Sequence, residues 1–274
     1  MLELRKVSFT YSDKEISGSL LINGVDLMVE RGEYIAILGR NAAGKTTLAK
    51  LIKGLLRPSS GQILVDGRPV NPGEGGSNIG LIFPNPDDQL LSPLVEEEIA
   101  FGLECIGVDR QMIRKRITEY LGLVGMKQFL SFPLHFLSKC QQQRVAIAAV
   151  LALEPNYLLL DEATSFLDPH WRSRFMSVLS ELNITRRMAV IHFTTSVEEA
   201  SYAHLILVLE NGELSAQYIP AEISSLGSSL LEKGYCLPPV AELSLLLEQM
   251  GHSIPPGIPT MEEMEVFLLR AMRD

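Results

Sequence analysis

The segment from Ile35 to Thr47 constrains the fold of this chain more than any other. An apolar run ends at Gly39, and after four further residues come Gly44, Lys45 and Thr46, which is the pattern of a phosphate-binding loop. In such a loop a strand leads into a turn whose backbone N–H groups face a phosphate, and the next helix adds its positive end. We therefore expect Lys45 to reach the outer phosphates and Thr46 to offer a hydroxyl to Mg²⁺. The alternative is an ordinary glycine-rich turn between a strand and a helix.

Apolar runs that alternate with helical patterns predict a parallel sheet. Residues 157–160, 188–193 and 205–209 are continuous apolar runs, typical of strands buried on both faces. Residues 2–10 and 25–29 predict further strands, of the edge or antiparallel kind. From about 95 to 153 the pattern is helical, with breaks near 122–125 and 131–133. The sequence therefore predicts an α/β core with an inserted helical subdomain.

Composition excludes several classes of function. The chain has 274 residues and a formal net charge of −9, which argues against general nucleic-acid binding because that needs a basic surface. It contains no apolar run of the length that spans a membrane, and its first residues do not resemble a signal peptide. Cys105, Cys140 and Cys236 have no paired metal-ligand spacing, which favours reduced thiols; Cys105 and Cys236 are interpreted as buried or incidental.

The tail after about residue 220 differs in character from the rest of the chain. Residues 240–250 predict a leucine-rich helix, and Thr260 opens a second helix through a capping box. Its apolar residues fall on one face: Met261, Met264, Phe267, Leu268 and Ala271. This face either packs on its own domain or serves as a dimerisation element.

A second chemical signal, Asp161 followed by Glu162, stands at the end of an apolar strand. An aspartate at that place beside a phosphate loop can hold Mg²⁺, directly or through water. A neighbouring glutamate can polarise the water that attacks the γ-phosphate of a nucleotide. The pair alone is a weak signal, but in combination with Lys45 it is strong.

Four further segments resemble the ATP-binding-cassette (ABC) ATPases. They are residues 137–144 (LSKCQQQR), 161–169 (DEATSFLDP), 8–11 (SFTY) and the pair Glu199-Ala200. Within that superfamily, residues 82–90 and 95–102 resemble the energy-coupling-factor ATPases, which drive bacterial importers of vitamins and of cobalt or nickel. The resemblance covers essentially the whole chain. It implies a P-loop NTPase core with a parallel sheet and an N-terminal antiparallel β subdomain. The ATP-binding domain would cover 1–220, with a helical subdomain over about 86–156, and a small helical dimerisation domain would cover 221–274.

The resemblance also implies ligands, partners and residue roles. The expected ligands are ATP and Mg²⁺. The expected partners are a second ATPase subunit, with a heterodimer favoured, and a transmembrane coupling subunit with a substrate-binding membrane subunit. The chain itself would lie peripherally at the cytoplasmic face of the cell membrane. Glu162 and Lys45 would be catalytic, and Thr46 and Asp161 would hold the metal. Tyr11 would stack on adenine, unless it is a core tyrosine, and Ser138 would face the γ-phosphate held by the second subunit, where Asp168 also makes contact. The expected nucleotide-binding set is Tyr11, Gly39, Arg40, Asn41, Ala42, Ala43, Gly44, Lys45, Thr46, Thr47 and Ser138.

The chain departs from the family pattern at four places, which comprise five residues. Ala42 replaces a loop glycine and resists a positive φ. Pro84 stands where a glutamine would reach Mg²⁺ and the attacking water, and Gln89 is not taken as its substitute. Lys139 and Cys140 replace two signature glycines; the Lys139 charge either points toward phosphate or is simply solvated. Thr195 replaces the switch histidine, and we interpret His192 as a core or strand-end residue.

In the resembled family a dimer encloses two ATP molecules, and each of these composite sites contains residues from both chains. The departures therefore affect both sites. One site uses this chain's Ala42, Pro84 and Thr195, and the other uses its Lys139–Cys140 signature. We therefore expect strong ATP binding, slow hydrolysis by the chain alone, and a heterodimer. The alternative is a catalytically weak, regulatory half of a heterodimeric ATPase.

Overall fold

The fold is seen in a computed structural model of the chain. It describes residues 1–11, 21–73, 78–222, 227, 230–231, 233–235, 237–252, 254 and 261–271. Cys236 and the predicted cap at Thr260 lie outside the described residues.

The core is a six-stranded sheet in the order β10-β9-β3-β8-β7-β6. Its five strands other than β10 run parallel, and β10 pairs antiparallel with β9 at one edge. The predicted parallel sheet is confirmed. The strands are β3 (Tyr34–Leu38), β6 (Ile79–Ile82), β7 (Tyr157–Asp161), β8 (Ala189–Thr194), β9 (Leu205–Glu210) and β10 (Glu213–Tyr218).

A second sheet is antiparallel and has the order β2-β1-β4-β5. Leu2 pairs with Val29 on one side and with Val65 on the other, which places β1 inside this sheet. The predicted antiparallel β subdomain is confirmed. Its strands are β1 (Leu2–Phe9), β2 (Ile22–Val29), β4 (Ser60–Val65) and β5 (Arg68–Pro69).

Successive residues of β3 point into two different cores, as the alternation of side chains along a strand requires. Ile35 and Ile37 pack with the antiparallel sheet and with α1 (Lys45–Lys53). Ala36 and Leu38 pack with the helices on the opposite face. Because both faces of β3 are covered, the strand is apolar throughout and all five of its residues are buried.

The helices lie around this framework. They are α2 (Val95–Cys105), α3 (Arg110–Leu123), α4 (Lys139–Ala152), α5 (Pro169–Arg186), α6 (Val197–Ala200), α7 (Pro239–Gln249) and α8 (Met261–Ala271). The predicted helical stretch has a further break, because Gly107 adopts a φ of 78° and Asp109 caps α3 through the N–H groups of Gln111 and Met112. Within the described residues, no helix is both long and apolar enough to cross a membrane.

The C-terminal segment packs against the main core through Leu230, Tyr235, Leu237 and Ala241. Of the predicted apolar face of α8, Met264 is buried, while Phe267 and Leu268 are half-buried. Other apolar side chains of this segment are exposed: Leu246 in α7, Met250 directly after it, and Val266 and Leu269 in α8. Cys105 is exposed, so it is not a core cysteine.

Candidate functional site

Three neighbouring parallel strands end at one edge of the sheet and bring the predicted site together. Leu38 at the end of β3 pairs with Thr194 of β8, and Asp161 at the end of β7 pairs with Phe193. The loops that follow these strands therefore meet, as they do at the carboxyl ends of other open α/β sheets. They carry the phosphate loop, Glu162 and Thr195.

The phosphate loop needs left-handed backbone at two positions. Gly44 has a φ of 102°, and a Cβ there would lie 2.8 Å from Cδ1 of Ile22. Ala42 has a φ of 66°, a region that L-residues other than Gly, Asn and Asp seldom adopt. The side chain of Ala42 therefore strains the loop where the family has glycine.

The rest of the loop is held to the sheet at its start and open at its tip. The N–H of Gly39 donates to the carbonyl of Thr194, and a Cβ on Gly39 would lie 3.0 Å from the carbonyl oxygen of Leu209. Arg40 and Asn41 are exposed, Ala43 is half-buried, and Thr47 is buried in the first turn of α1. The exposed N–H-bearing turn is thus available to a phosphate.

Lys45 points into the loop it follows. Its Nζ donates to the carbonyls of Gly39 at 2.7 Å and Arg40 at 3.0 Å, and lies 3.1 Å from Oε1 of Glu162. The side chain of Lys45 is 5% exposed. The two residues predicted to be catalytic therefore form an ion pair.

Asp161 has the properties of a metal ligand. Both of its carboxylate oxygens are buried without a hydrogen-bond partner among the described residues. Burial raises the pKa of Asp161, while the hydroxyl of Thr46 and the charge of Lys45 act in the opposite direction. Thr46 is exposed at the start of α1. A hard cation such as Mg²⁺ prefers oxygen ligands of this kind, so the donor set fits.

Glu162 lies in a cavity of about 370 Å³ that the phosphate loop and Pro84 also line. Its φ is 44°, and its N–H donates to the carbonyl of Phe193 at 2.9 Å. Tyr11 lies beside this region, 46% exposed, with its hydroxyl 3.4 Å from Oγ1 of Thr47. An exposed ring next to the phosphate loop is available for stacking, and Tyr11 is not a core tyrosine.

Pro84 follows β6 by two residues and brings no polar side chain to the cavity. Gln89 does not replace the missing glutamine, because its Oε1 accepts the N–H of Phe83 at 2.9 Å. Gln143 of α4 joins the loop after β6 to the loop after β7. Its Nε2 donates to the carbonyls of Phe83 at 3.0 Å and Ala163 at 2.8 Å. Gln143 lies in the QQQR run, but the pattern of that run does not predict this role.

The position of the switch histidine holds Thr195, which is exposed beside the phosphate loop. His192 is fully buried, with Nδ1 3.1 Å from the hydroxyl of Tyr34 and Nε2 3.4 Å from Oε2 of Glu199. The interpretation of His192 as a core residue is confirmed. A side chain enclosed in this way has no direct access to a nucleotide.

The signature segment opens α4. Ser138 is its N-cap, with a capping box formed with Gln141, so its hydroxyl lies at the positive end of a helix. Lys139 forms an exposed ion pair with Asp87 of its own chain. Cys140 donates through Sγ to Oδ2 of Asp168 at 3.5 Å. Both replacements of the signature glycines therefore contact this chain's own carboxylates.

Asp168 caps α5 by accepting the N–H of Trp171 at 2.9 Å. That hydrogen bond, followed by the Cys140 thiol, holds the pKa of Asp168 below its usual value. Asp168 is exposed and lies next to the signature helix of the same chain.

Comparison with known proteins agrees with this geometry. The model of the ABC transporter family matches residues 22–165. The energy-coupling factor transporter ATP-binding protein EcfA1 of Geobacillus kaustophilus is 39% identical over 267 residues, covering 96% of this chain and 95% of the relative. Its counterpart in Caldanaerobacter subterraneus is 36% identical over 274 residues, covering 98% and 99%.

Two solved structures share the fold. CbiO1 from Clostridium perfringens, described as part of the ABC transporter complex cbiONQ, has a TM-score of 0.73 at 33% identity and covers 88% of this chain and 97% of its own. A dimeric ATP-binding cassette in a post-hydrolysis state with ADP and Pi has a TM-score of 0.74 at 28% identity, with coverages of 80% and 98%.

Proposed function

The chain belongs to the energy-coupling-factor transporter ATP-binding proteins of the ABC transporter family, and we propose that it is the ATPase of an importer for a vitamin or a transition metal ion. The observation that carries this proposal is the meeting of Lys45, Thr46, Asp161 and Glu162 at one edge of the sheet. A fold alone would not indicate chemistry, whereas these four side chains together are suited to bind and hydrolyse a nucleoside triphosphate.

The residues have the following proposed roles. Lys45 leaves its contacts with the Gly39 and Arg40 carbonyls and binds the outer phosphates. Thr46 and Asp161 hold Mg²⁺, which when bound neutralises charge on the β- and γ-phosphates. Glu162, released from Lys45, orients the attacking water and accepts its proton. Tyr11 stacks on the adenine ring.

The partner ATPase is proposed to be a different chain. A homodimer would carry Pro84 and Thr195 at both phosphate loops and Lys139 and Cys140 at both signatures. The Lys139–Asp87 and Cys140–Asp168 contacts occupy the signature residues within their own chain. In a heterodimer, the partner supplies a glycine-containing signature to this chain's ATP, so one of the two composite sites is spared the signature replacements.

The membrane partners follow from the same family. A transmembrane coupling subunit is proposed to bind at the helical subdomain, with a separate membrane subunit that selects the substrate. The chain then lies at the cytoplasmic face of the membrane. The exposed apolar residues of the C-terminal segment are proposed to pair with the second ATPase subunit: Leu246, Met250, Val266 and Leu269.

Hydrolysis by the purified chain tests the catalytic part of the proposal. We expect MgATP binding together with turnover well below about 10 s⁻¹, the median for enzymes. Glu162→Gln should abolish that turnover while MgATP still binds, and the matched exposed control Glu198→Gln should keep it. Turnover near the enzyme median by the chain alone would refute slow hydrolysis, and turnover that survives Glu162→Gln would refute the role of Glu162.

Co-purification from the native membrane tests the assembly. We expect a second, different ATPase subunit and two kinds of membrane subunit to accompany the tagged chain. Recovery of the tagged chain with only copies of itself would refute the heterodimer. Recovery without any membrane subunit would refute the transport function.

A further inference from the structure

Glu199 is a buried carboxylate that joins the two loops around the predicted γ-phosphate position. We infer that Glu199 is a positioning residue for ATP hydrolysis, which fixes the loop carrying Glu162 against the end of β8. This inference rests on the proposed function. It concerns a residue that does not line the cavity next to the phosphate loop.

One hydroxyl group from the loop after β7 and one from the last residue of β8 donate to this carboxylate. Glu199 lies in α6 and is 5% exposed. Its Oε1 accepts the hydroxyl of Thr164, and its Oε2 accepts the hydroxyl of Thr194 at 2.8 Å. Thr164 follows Glu162 by two residues, and Thr194 directly precedes Thr195. The Glu199 side chain therefore joins the loop after β7 and the end of β8 to α6.

Two further groups stabilise the negative charge in this buried place. Nε2 of His192 lies 3.4 Å from Oε2, and Nε of Arg172 lies 3.6 Å from Oε1. Burial would raise the pKa of Glu199, but the contacts from His192, Thr164 and Thr194 outweigh it and hold the pKa at about 2. Glu199 is therefore ionised at neutral pH and accepts from both threonines.

The backbone at Glu162 shows why such an anchor is needed. Glu162 has a φ of 44°, which is unfavourable for a residue with a Cβ and persists only when the surroundings enforce it. The N–H of Glu162 donates a hydrogen bond to the carbonyl of Phe193, the residue before Thr194, and the carbonyl of Glu162 accepts the N–H of Ser165. Glu199 thus holds the loop after the strained residue through Thr164, and the end of the neighbouring strand β8 through Thr194.

The consequence is a separation of binding from turnover. Nucleotide binding depends on Lys45, Thr46 and the phosphate loop, none of which contacts Glu199 in the hydrogen bonds of the described residues. Hydrolysis depends on the placement of the Glu162 carboxylate, and a small displacement of a catalytic group can lower a rate by about 10²-fold.

Threonine-to-valine variants test this separation because valine keeps the shape and removes the hydroxyl. Hydrolysis is measured in single turnover, with the full-length chain in excess over MgATP, and affinity is measured with a non-hydrolysable ATP analogue. Thr164→Val and Thr194→Val should each lower the rate by about 10²-fold with the dissociation constant within about twofold. Thr164→Ser should restore the rate, and Thr185→Val, which removes an exposed hydroxyl from α5, should leave it unchanged.

Wild-type rates in Thr164→Val and Thr194→Val would overturn the inference, as would a loss of affinity that accounts for the loss of rate. Hydrogen exchange of the amides of residues 162–165 gives a readout that does not need hydrolysis. Exchange there should rise in both variants and stay unchanged in Thr185→Val. If the wild-type chain did not hydrolyse ATP, the proposed function would fail, while unchanged exchange in Thr164→Val and Thr194→Val would still overturn the positioning role.

Discussion

Asp161→Asn should stabilise the protein without ligand and destabilise its MgATP complex relative to the wild type. Both carboxylate oxygens of Asp161 are buried without a hydrogen-bond partner among the residues described. Leaving a buried polar group unsatisfied costs about 1–3 kcal/mol, and more when the group is charged. The amide of asparagine is unsatisfied as well but uncharged, so we expect the free energy of unfolding to rise by about 1–2 kcal/mol.

Thermal unfolding in EDTA without nucleotide measures this gain. For a chain of this size, about 1–2 kcal/mol corresponds to a rise in Tm of about 2–8 °C. In MgATP at about 100 times the dissociation constant, the wild type gains about 2.7 kcal/mol. The variant lacks the proposed metal ligand and should gain less, so the order of the two melting temperatures should reverse. The exposed Asp88 provides the matched control, and Asp88→Asn should follow the wild type in both conditions.

The effect of pH on the difference has a definite sign. Because burial raises the pKa of Asp161, the folded protein binds that proton more tightly than the unfolded chain does. The stability that this protonation contributes is present below the unfolded pKa of about 3.9 and is lost as the pH rises through the folded value. The advantage of Asp161→Asn should therefore be largest near neutral pH and disappear in acid. A variant less stable than the wild type in EDTA, or an advantage that persists in acid, would refute the reasoning.

Three further outcomes are expected from urea or acid unfolding. Ala42→Gly should stabilise the free protein by about 0.5 kcal/mol, because relief of about 1–2 kcal/mol of left-handed strain exceeds the flexibility cost of glycine. The control Ala49→Gly lies inside α1, has no strain to relieve and should destabilise the protein. Stabilisation by both changes would contradict this reasoning. Gln143→Leu should cost about 2 kcal/mol, because it leaves two buried carbonyls without a donor, whereas the exposed Gln128→Leu should cost little. Glu199, with a pKa lowered to about 2, contributes stability above pH about 4.5 that is lost as the pH falls toward about 2. Glu199→Gln should therefore be less stable than the wild type at neutral pH and should lose less stability over that acid range. An unchanged acid transition in the variant would contradict this.

The sequence was sufficient for the parallel sheet because each central strand is covered on both faces. A strand buried in this way is an almost continuous apolar run, as β3 is throughout and β7 is up to Asp161, and such runs are visible without a structure. The edge strand β10 was not predicted, because its residues alternate between exposed and half-buried and give no apolar run. The break before α3 depends on Asp109 accepting two backbone N–H groups, which is local chemistry rather than periodicity.

In the candidate site, too, some contacts could be predicted from the sequence and others could not. Asp161 ends β7 and Glu162 follows it, while Lys45 and Thr46 open the helix after β3. Their positions along the chain therefore predict that they meet at the carboxyl ends of a parallel sheet. Glu199 could be quoted from the sequence but not given a role, because its partners Thr164, Thr194 and Arg172 come from three separate segments. The same limit applies to Lys139, whose partner Asp87 lies in the loop after β6. Contacts between loops depend on where the loops lie in space, whereas contacts at strand ends follow from the order of elements. This difference separates the proposed catalytic residues, whose meeting at the strand ends could be predicted, from the residues that support them.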